Sequence, residues 1–313
     1  MKNKGAAVSR LLQPSIRLFV RALLLLPSAV LLAVLNMSRK LFSRRLLQLL
    51  FDDALAKYLK QGYVSVAAKD LVIEETVPVQ VNLDLGDYIQ RSFYLFGYPR
   101  FTPELLKFCD EKTAFFDIGA NLGLITIAVA QYCNAENLFA FEPLPANFVK
   151  LEANLEAHCL GAHSVNLGLS DTDGEMQLMY VEHDSGSASF EIDYLESRMN
   201  DYSSRSSLIT VPVRRFDDYI SNVNLAEAAK LAFKIDVEGH ELKVLRGMEA
   251  FLKSASQRIL IIAETHKRNY DEVNRFLLGN DFRISWPTQD EVETFLSGPS
   301  SAIDLAFVRA ARA

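Results

Sequence analysis

From residue 114 onward, the sequence alternates short, uninterrupted apolar runs with stretches of helical periodicity. Such runs are typical of parallel strands, because helices cover both faces of a parallel sheet. Between the runs, residues 122–133 are too uniformly apolar for a surface helix, and Pro145 opens a second helical stretch. The sequence therefore predicts an α/β fold with a doubly wound, mostly parallel seven-stranded sheet. The predicted strands are residues 114–118, 137–142, 164–169, 231–236, 258–264, 282–286 and 304–309.

The first 51 residues differ in charge from the rest of the chain. They contain nine Lys or Arg residues and no acid, which leaves 24 basic residues against 39 acids in the remainder. Residues 22–35 form an apolar run of 14 residues, shorter than the roughly 20 that a membrane-spanning helix needs. We interpret this arm as a helix in the membrane interface or as a helical hairpin packed on the domain. The acidic main body argues against a nucleic acid substrate.

Three regions are predicted, namely residues 1–51, 52–110 and 111–313. The first is the basic apolar arm, the second is a pre-domain with a helix and strands, and the third is the doubly wound domain. The predicted location is cytoplasmic, with contact to the inner face of the membrane through residues 10–50.

Residues 182–207 are polar, contain eight serines and interrupt the alternating pattern. They indicate either a disordered insert or a lid or substrate loop.

Acids and glycines follow the first two predicted strands. Ligands of doubly wound sheets bind beyond the carboxyl ends of the strands. Asp117 lies near the end of the first strand, and Glu142 ends the second, 23 residues beyond the first glycine of the turn. This spacing is that of an acid that binds ribose hydroxyls. Between them, the segment FFDIGANLG passes from strand to helix through residues that permit a tight turn with outward-facing helix N–H groups: Gly119, Asn121 and Gly123.

The composition of this turn distinguishes between two ligand classes. A dinucleotide-binding turn would have further glycines where Asn121 and Leu124 stand. The Asn side chain would crowd a diphosphate, which favours a phosphate-free ligand such as S-adenosylmethionine. The ammonium and sulfonium groups of that ligand would face Asp117, and its adenine would lie near Ser170 and Asp171. The alternatives are a nicotinamide-dependent oxidoreductase and a non-catalytic membrane-associated scaffold.

Three motifs resemble the FkbM-type methyltransferases: FFDIGANLG at 115–123, FAFEP at 139–143 and FKIDVEGHELKVLRG at 233–247. The resemblance implies a class I methyltransferase domain, Rossmann-like, with an N-terminal helical and β extension outside it. It also implies S-adenosylmethionine as methyl donor and, as acceptor, a hydroxyl of a saccharide, glycolipid or natural product, or in some members a nitrogen. His240 departs from the family pattern, in which an aromatic or another residue often stands.

Methyl transfer to an alcohol requires alignment of the acceptor with the sulfonium and a base for its proton. Asp236 follows the fourth strand and is predicted to orient the acceptor or to act as this base, with Glu238 and His266 as the next candidates. Asp236 and Glu238 could instead cap the helix that begins near His240. No metal ligand is assigned, although Asp236, Glu238 and His266 would be a reasonable set for a divalent ion. The expected partner is a small-molecule or glycan acceptor.

Overall fold

The computed structural model describes residues 65–68, 81–84, 87–159, 161–182, 184–198 and 206–312. The predicted arm, including the membrane contact of residues 10–50, lies outside these ranges. The chain divides into two units between Tyr98 and Pro99, and the three regions drawn from the sequence remain a prediction. In the described ranges, every helix is too short or too polar to cross a membrane.

The described residues of the first unit form two strands and a helix. Strands β1 (Ser65–Ala68) and β2 (Val81–Asp84) pair antiparallel, and helix α1 spans Tyr88–Phe96. Asp87 caps α1, because its side chain accepts a hydrogen bond from a backbone N–H of the first turn.

The second unit is built on sheets flanked by helices. Its strands are β3 (Thr113–Ile118), β4 (Leu138–Phe141), β5 (His163–Val165), β6 (Gly168–Ser170), β7 (Gly174–Val181), β8 (Asp184–Ser189), β9 (Ser206–Arg215), β10 (Lys230–Ile235), β11 (Arg258–His266), β12 (Arg283–Trp286) and β13 (Ala302–Arg309). Its helices are α2 (Thr102–Phe108), α3 (Leu124–Val129), α4 (Pro145–His158), α5 (Ile192–Arg198), α6 (Phe216–Ile220), α7 (Glu241–Gly247), α8 (Glu249–Ser254), α9 (Tyr270–Gly279) and α10 (Gln289–Ser297).

The main sheet has seven strands in the order β12-β13-β11-β10-β3-β4-β5. Every neighbouring pair is parallel except the two that include β13, which runs antiparallel to β11 and β12. This is the doubly wound order 3-2-1-4-5-6 with one reversed strand inserted before the last. The predicted doubly wound, mostly parallel sheet is confirmed.

A second sheet of four strands, in the order β6-β9-β7-β8, was not predicted. The prediction of one strand over residues 164–169 is wrong, because β5 ends at Val165 and β6 begins at Gly168 in the other sheet. Of the two interpretations of residues 182–207, a disordered insert is wrong for their described part, which includes β8 and α5. The short strands β5 and β6 each contain one large apolar residue, Val165 and Leu169. Residues 164–169 therefore give no signal that the chain changes sheets.

The core of the main sheet fixes the register of its central strands. Phe116 stacks on Phe139 of β4 and on Phe233 of β10, with ring centroids 4.9 Å apart in both pairs. All three rings are buried, and burial of each contributes about 1.5–3 kcal/mol. The same register aligns the strand ends, where Ile118 pairs with Ile235 and Phe141. The residues that follow these strands therefore meet at one edge of the sheet.

A matched pair of glycines tests how closely α7 packs against β6. Gly247 and Gly279 are each the last residue of a helix, α7 and α9. A Cβ atom on Gly247 would lie 1.9 Å from the backbone oxygen of Ser170, whereas one on Gly279 would have no neighbour within 4 Å. Gly247→Ala should therefore lower the free energy of unfolding by about 1–3 kcal/mol. Gly279→Ala should leave the urea midpoint unchanged or raise it slightly, and equal midpoints for both variants would contradict this packing.

Candidate active site

The turn after β3 is held in one conformation by its glycines and by β4. Gly119, Asn121 and Gly123 all have positive φ angles, of 76°, 53° and 79°, which favour glycine or asparagine. The N–H groups of Gly119 and Ala120 donate to the carbonyl of Phe141. A Cβ atom on Gly119 would lie 2.0 Å from the carbonyl oxygen of Asp236. The turn is therefore packed directly against the end of β10.

Glu142 lies at the end of β4 and is bonded to this turn. Its Oε2 accepts from the backbone N–H of Asn121 at 2.8 Å, and its Oε1 accepts from that of Leu144 at 2.9 Å. The residue is only 4% exposed. Burial raises the pKa of Glu142 to about 7 in spite of these two hydrogen bonds. Both carboxyl oxygens retain capacity to accept a further hydrogen bond.

Asp117 and Asp236 are linked by a buried lysine on β10, the strand that Asp236 directly follows. The Nζ of Lys234 donates to the carbonyl of Gly119 at 2.6 Å and lies 3.5 Å from Asp117 Oδ1 and 3.4 Å from Asp236 Oδ2. Burial alone lowers the pKa of Lys234, but the charges of Asp236 and Asp117 raise it above its usual value. Asp117 also accepts a hydrogen bond from Thr126 and is fully buried, whereas the side chain of Asp236 is 39% exposed. Asp236 therefore keeps a carboxylate at the surface of the site.

The predicted adenine contacts lie at the start of a buried hydrogen-bonded chain. The hydroxyl of Ser170 is 3.3 Å from Asp171 Oδ1 and 3.0 Å from His240 Nε2. On the other side of the ring, His240 Nδ1 is 2.8 Å from Glu191 Oε1. This hydrogen bond lowers the pKa of Glu191 to about 2. Ser170 and His240 are buried, so the structure places both in a link between two parts of the fold.

The turn between Asp236 and α7 is shaped by Glu241. The Oε1 of Glu241 accepts from the backbone N–H groups of Gly239 and Val237, and its Oε2 accepts from Asn269. Helix α7 begins at Glu241 without a side-chain capping bond from its N-cap residue. Glu241 therefore stabilises the turn that precedes α7 rather than the first turn of the helix itself.

Glu238 and His266, predicted as catalytic candidates, lie close together. Their ligand atoms and a carboxylate oxygen of Glu264 are all within 4.8 Å of one another. Glu264 Oε2 is 3.0 Å from His266 Nε2, and the hydroxyl of Tyr194 contacts the other ring nitrogen. Asp236, the third member of the ligand set considered from the sequence, lies outside this group and faces Lys234.

Residues 184–198 cover this part of the site. The hydroxyl of Ser189 donates to the carbonyl of Glu238 at 2.7 Å, Glu191 binds His240, and Tyr194 contacts His266. The interpretation of this segment as a lid or substrate loop fits these positions. Sequence reasoning missed Lys234, Glu191 and Tyr194 as site residues; of these, only Lys234 carried a signal, as a lone charge in a buried strand.

The sequence model of the methyltransferase FkbM domain matches residues 117–297. The chain belongs to this family. The match begins at Asp117 and runs through the turns of Glu142, Asp236 and His266. It confirms the resemblance and the class I methyltransferase fold that the motifs predicted.

The FkbM chain is also similar to individual proteins. It is 28% identical over 152 residues to "Methyltransferase 1" of Beauveria bassiana and 28% identical over 163 residues to "Hexuronic acid methyltransferase AglP" of Haloferax volcanii. These alignments cover 44% and 52% of this chain and 59% of each relative, so the chain spans about three fifths of their length. A solved FkbM methyltransferase from Methylobacillus flagellatus shares 17% identity at a TM-score of 0.40, covering 70% of this chain and 52% of that one.

Replacement of the buried lysine should be costly. Lys234→Met leaves the charge of Asp117 buried beside an apolar group, which should lower the free energy of unfolding by about 3–5 kcal/mol. The matched control is Lys253→Met, which removes an exposed ion pair with Glu249 and should cost no more than about 1 kcal/mol. Urea denaturation gives both values. The double variant Lys234→Met/Asp117→Asn should recover part of the loss, and no recovery would contradict the assigned pairing.

Proposed function

We propose that this protein transfers a methyl group from S-adenosylmethionine to a hydroxyl of a saccharide, glycolipid or natural product. The observation that carries this proposal is the buried Glu142, which accepts a hydrogen bond from the turn after β3. Glu142 and Asp236 follow strands that end at the same edge of the sheet. This is the place and the residue type with which doubly wound domains bind a ribose. The FkbM family membership supports the same reading.

The residues present fit this methyl donor. In the described part of the chain, the buried Oδ1 of Asn121 has no hydrogen-bond partner, which leaves an acceptor for the ammonium group of the donor. The turn is surrounded by the carboxyl groups of Glu142, Asp117 and Asp236, with Lys234 as the cation among them. This balance suits a ligand with ammonium and sulfonium charges and disfavours the pyrophosphate of a nicotinamide cofactor.

Asp236 is the group best placed to take a proton from the acceptor. When bound, S-adenosylmethionine supplies an electrophilic methyl group and leaves as S-adenosylhomocysteine. Asp236 would accept the hydroxyl proton while the acceptor oxygen bonds to the methyl carbon and the electron pair of the C–S bond passes to sulfur. Lys234 Nζ lies 3.4 Å from Asp236 Oδ2, and residues 184–198 would cover one side of this site.

A two-ligand binding experiment tests the donor class. Calorimetry of the full chain should show binding of S-adenosylhomocysteine and none of NAD. Binding of NAD with no binding of S-adenosylhomocysteine would overturn the proposal in favour of an oxidoreductase. Transfer of a labelled methyl group should then be followed into hydroxylated glycans and lipid-linked saccharides, with hexuronic acids included because AglP is named for them.

The affinity for S-adenosylhomocysteine should depend on pH through Glu142. Because burial raises its pKa to about 7, the carboxyl group is mostly protonated at pH 6 and mostly ionised at pH 8. Only the ionised form can accept hydrogen bonds from both ribose hydroxyls while keeping its two backbone bonds. Affinity should therefore rise about tenfold between these pH values. Glu142→Gln should bind more weakly with a flat profile, and a flat profile in the unaltered protein would contradict this role.

Asp236→Asn separates chemistry from binding. The substitution is isosteric and removes the base, so transfer of labelled methyl to an acceptor should fall by a factor of about 10²–10⁴. The affinity for S-adenosylhomocysteine should change little, because the substitution keeps the backbone of residue 236 that packs on the donor turn, and the Asp236 side chain is linked to that turn through Lys234. Full activity of the variant would exclude Asp236 as the base.

A further inference from the structure

Three metal-ligating side chains converge just beyond β10 and in the last residues of β11. Glu238 lies in the turn after β10, and Glu264 and His266 lie on β11. Their ligand atoms are all within 4.8 Å of one another. Glu264 and His266 are two residues apart on one strand, so their side chains point to the same face of the sheet.

The spacing of these atoms fits a divalent cation. Ligand bonds of a divalent cation to imidazole nitrogen and carboxylate oxygen are about 2.0–2.2 Å long, so two ligands at right angles are about 3 Å apart. Glu264 Oε2 and His266 Nε2 are 3.0 Å apart. Glu238 is partly exposed and sits in a turn, so its carboxylate can shorten its distance to the other two by side-chain rotation.

The histidine is oriented from outside the group. The hydroxyl of Tyr194 contacts His266 Nδ1, and the ring is 1% exposed. A metal-binding histidine commonly has its second nitrogen fixed in this way, which sets the ring orientation. Tyr194 is itself held from the other side by Arg268, whose guanidinium lies 3.9 Å from the centre of the tyrosine ring. The nitrogen that faces Glu264 is Nε2, at 3.0 Å from Oε2.

The charge around the group also favours a cation. Glu264 pairs directly with Asp304 across the antiparallel β11–β13 ladder, and like charges in such a pair are destabilising. Lys234, the buried cation of this edge, faces Asp117 and Asp236. A divalent cation would offset the negative charge that remains at Glu238 and Glu264.

We propose that Glu238, Glu264 and His266 bind a divalent cation, and that this cation holds two neighbouring oxygens of the acceptor beside Asp236. Three protein ligands leave coordination positions open for such oxygens. The cation site stands on its own, whereas its use in holding the acceptor rests on the proposed methyl transfer. Two carboxylates and one imidazole suit Mn²⁺, with Zn²⁺ as a second choice, better than Ca²⁺, which prefers oxygen ligands alone.

Metal binding can be measured without methyl donor or acceptor. The full chain, stripped with EDTA and dialysed, is titrated with Mn²⁺ by calorimetry and by electron paramagnetic resonance of the free ion. We expect one site per chain and at least tenfold weaker binding in Glu264→Gln and in His266→Gln. The matched control is Glu249→Gln, an exposed acid on α8, which should bind as the unaltered chain does. Circular dichroism shows whether each variant is folded, and Glu238→Gln replaces either one that is not.

Two results would overturn the cation site. One is failure of the unaltered chain to bind Mn²⁺ or Zn²⁺ at submillimolar concentration. The other is undiminished binding in folded variants of this group. Failure of the methyl-transfer proposal has a different signature, since it would appear as absent binding of S-adenosylhomocysteine while one Mn²⁺ still binds. If both ligands bind and EDTA leaves the rate of methyl transfer unchanged, the role of the cation in holding the acceptor is excluded.

Discussion

The site depends on one buried ammonium group. Lys234 reaches from β10 to the carbonyl of Gly119 and lies between the carboxylates of Asp117 and Asp236. Burial of a single charge in a protein interior costs several kcal/mol, which its partners must offset. The three groups are therefore stable only together. Their mutual dependence holds the carbonyl of Gly119 in the turn after β3 and places the carboxyl group of Asp236 at the edge of the sheet.

The parts of the fold that could be predicted are those in which residue type and burial agree. The uninterrupted apolar runs indicate strands covered on both faces, and the stacked rings of Phe116, Phe139 and Phe233 show that coverage. The change of sheet between Val165 and Gly168 could not be predicted, because it depends on pairing with β9, about 45 residues further along the chain. Local sequence carries little information on such distant pairings.

In the candidate site, too, the residues that could be predicted are those whose position follows from local sequence. Asp117, Glu142 and Asp236 end apolar runs, so their common edge follows from parallel topology alone. Lys234 interrupts the run LAFKID, and a lone charge in a buried strand indicates an internal partner. Asp304, by contrast, meets Glu264 only through an antiparallel strand near the end of the chain. A reversed strand places the start of one run beside the end of another, and the order of motifs in the sequence does not reveal this.

Three residues attach the segment of β8 and α5 to the rest of the site. Ser189 donates to the carbonyl of Glu238, Glu191 binds His240, and Tyr194 contacts His266. Between these points, Phe190 also contacts His240, with ring centroids 5.1 Å apart, whereas the side chain of Asp193 is exposed. The segment thus has fixed attachment points and, at exposed positions such as Asp193, side chains that can be replaced. Residues at such exposed positions can therefore vary without a change in the donor turn, provided that the three attachments and their receiving groups are kept.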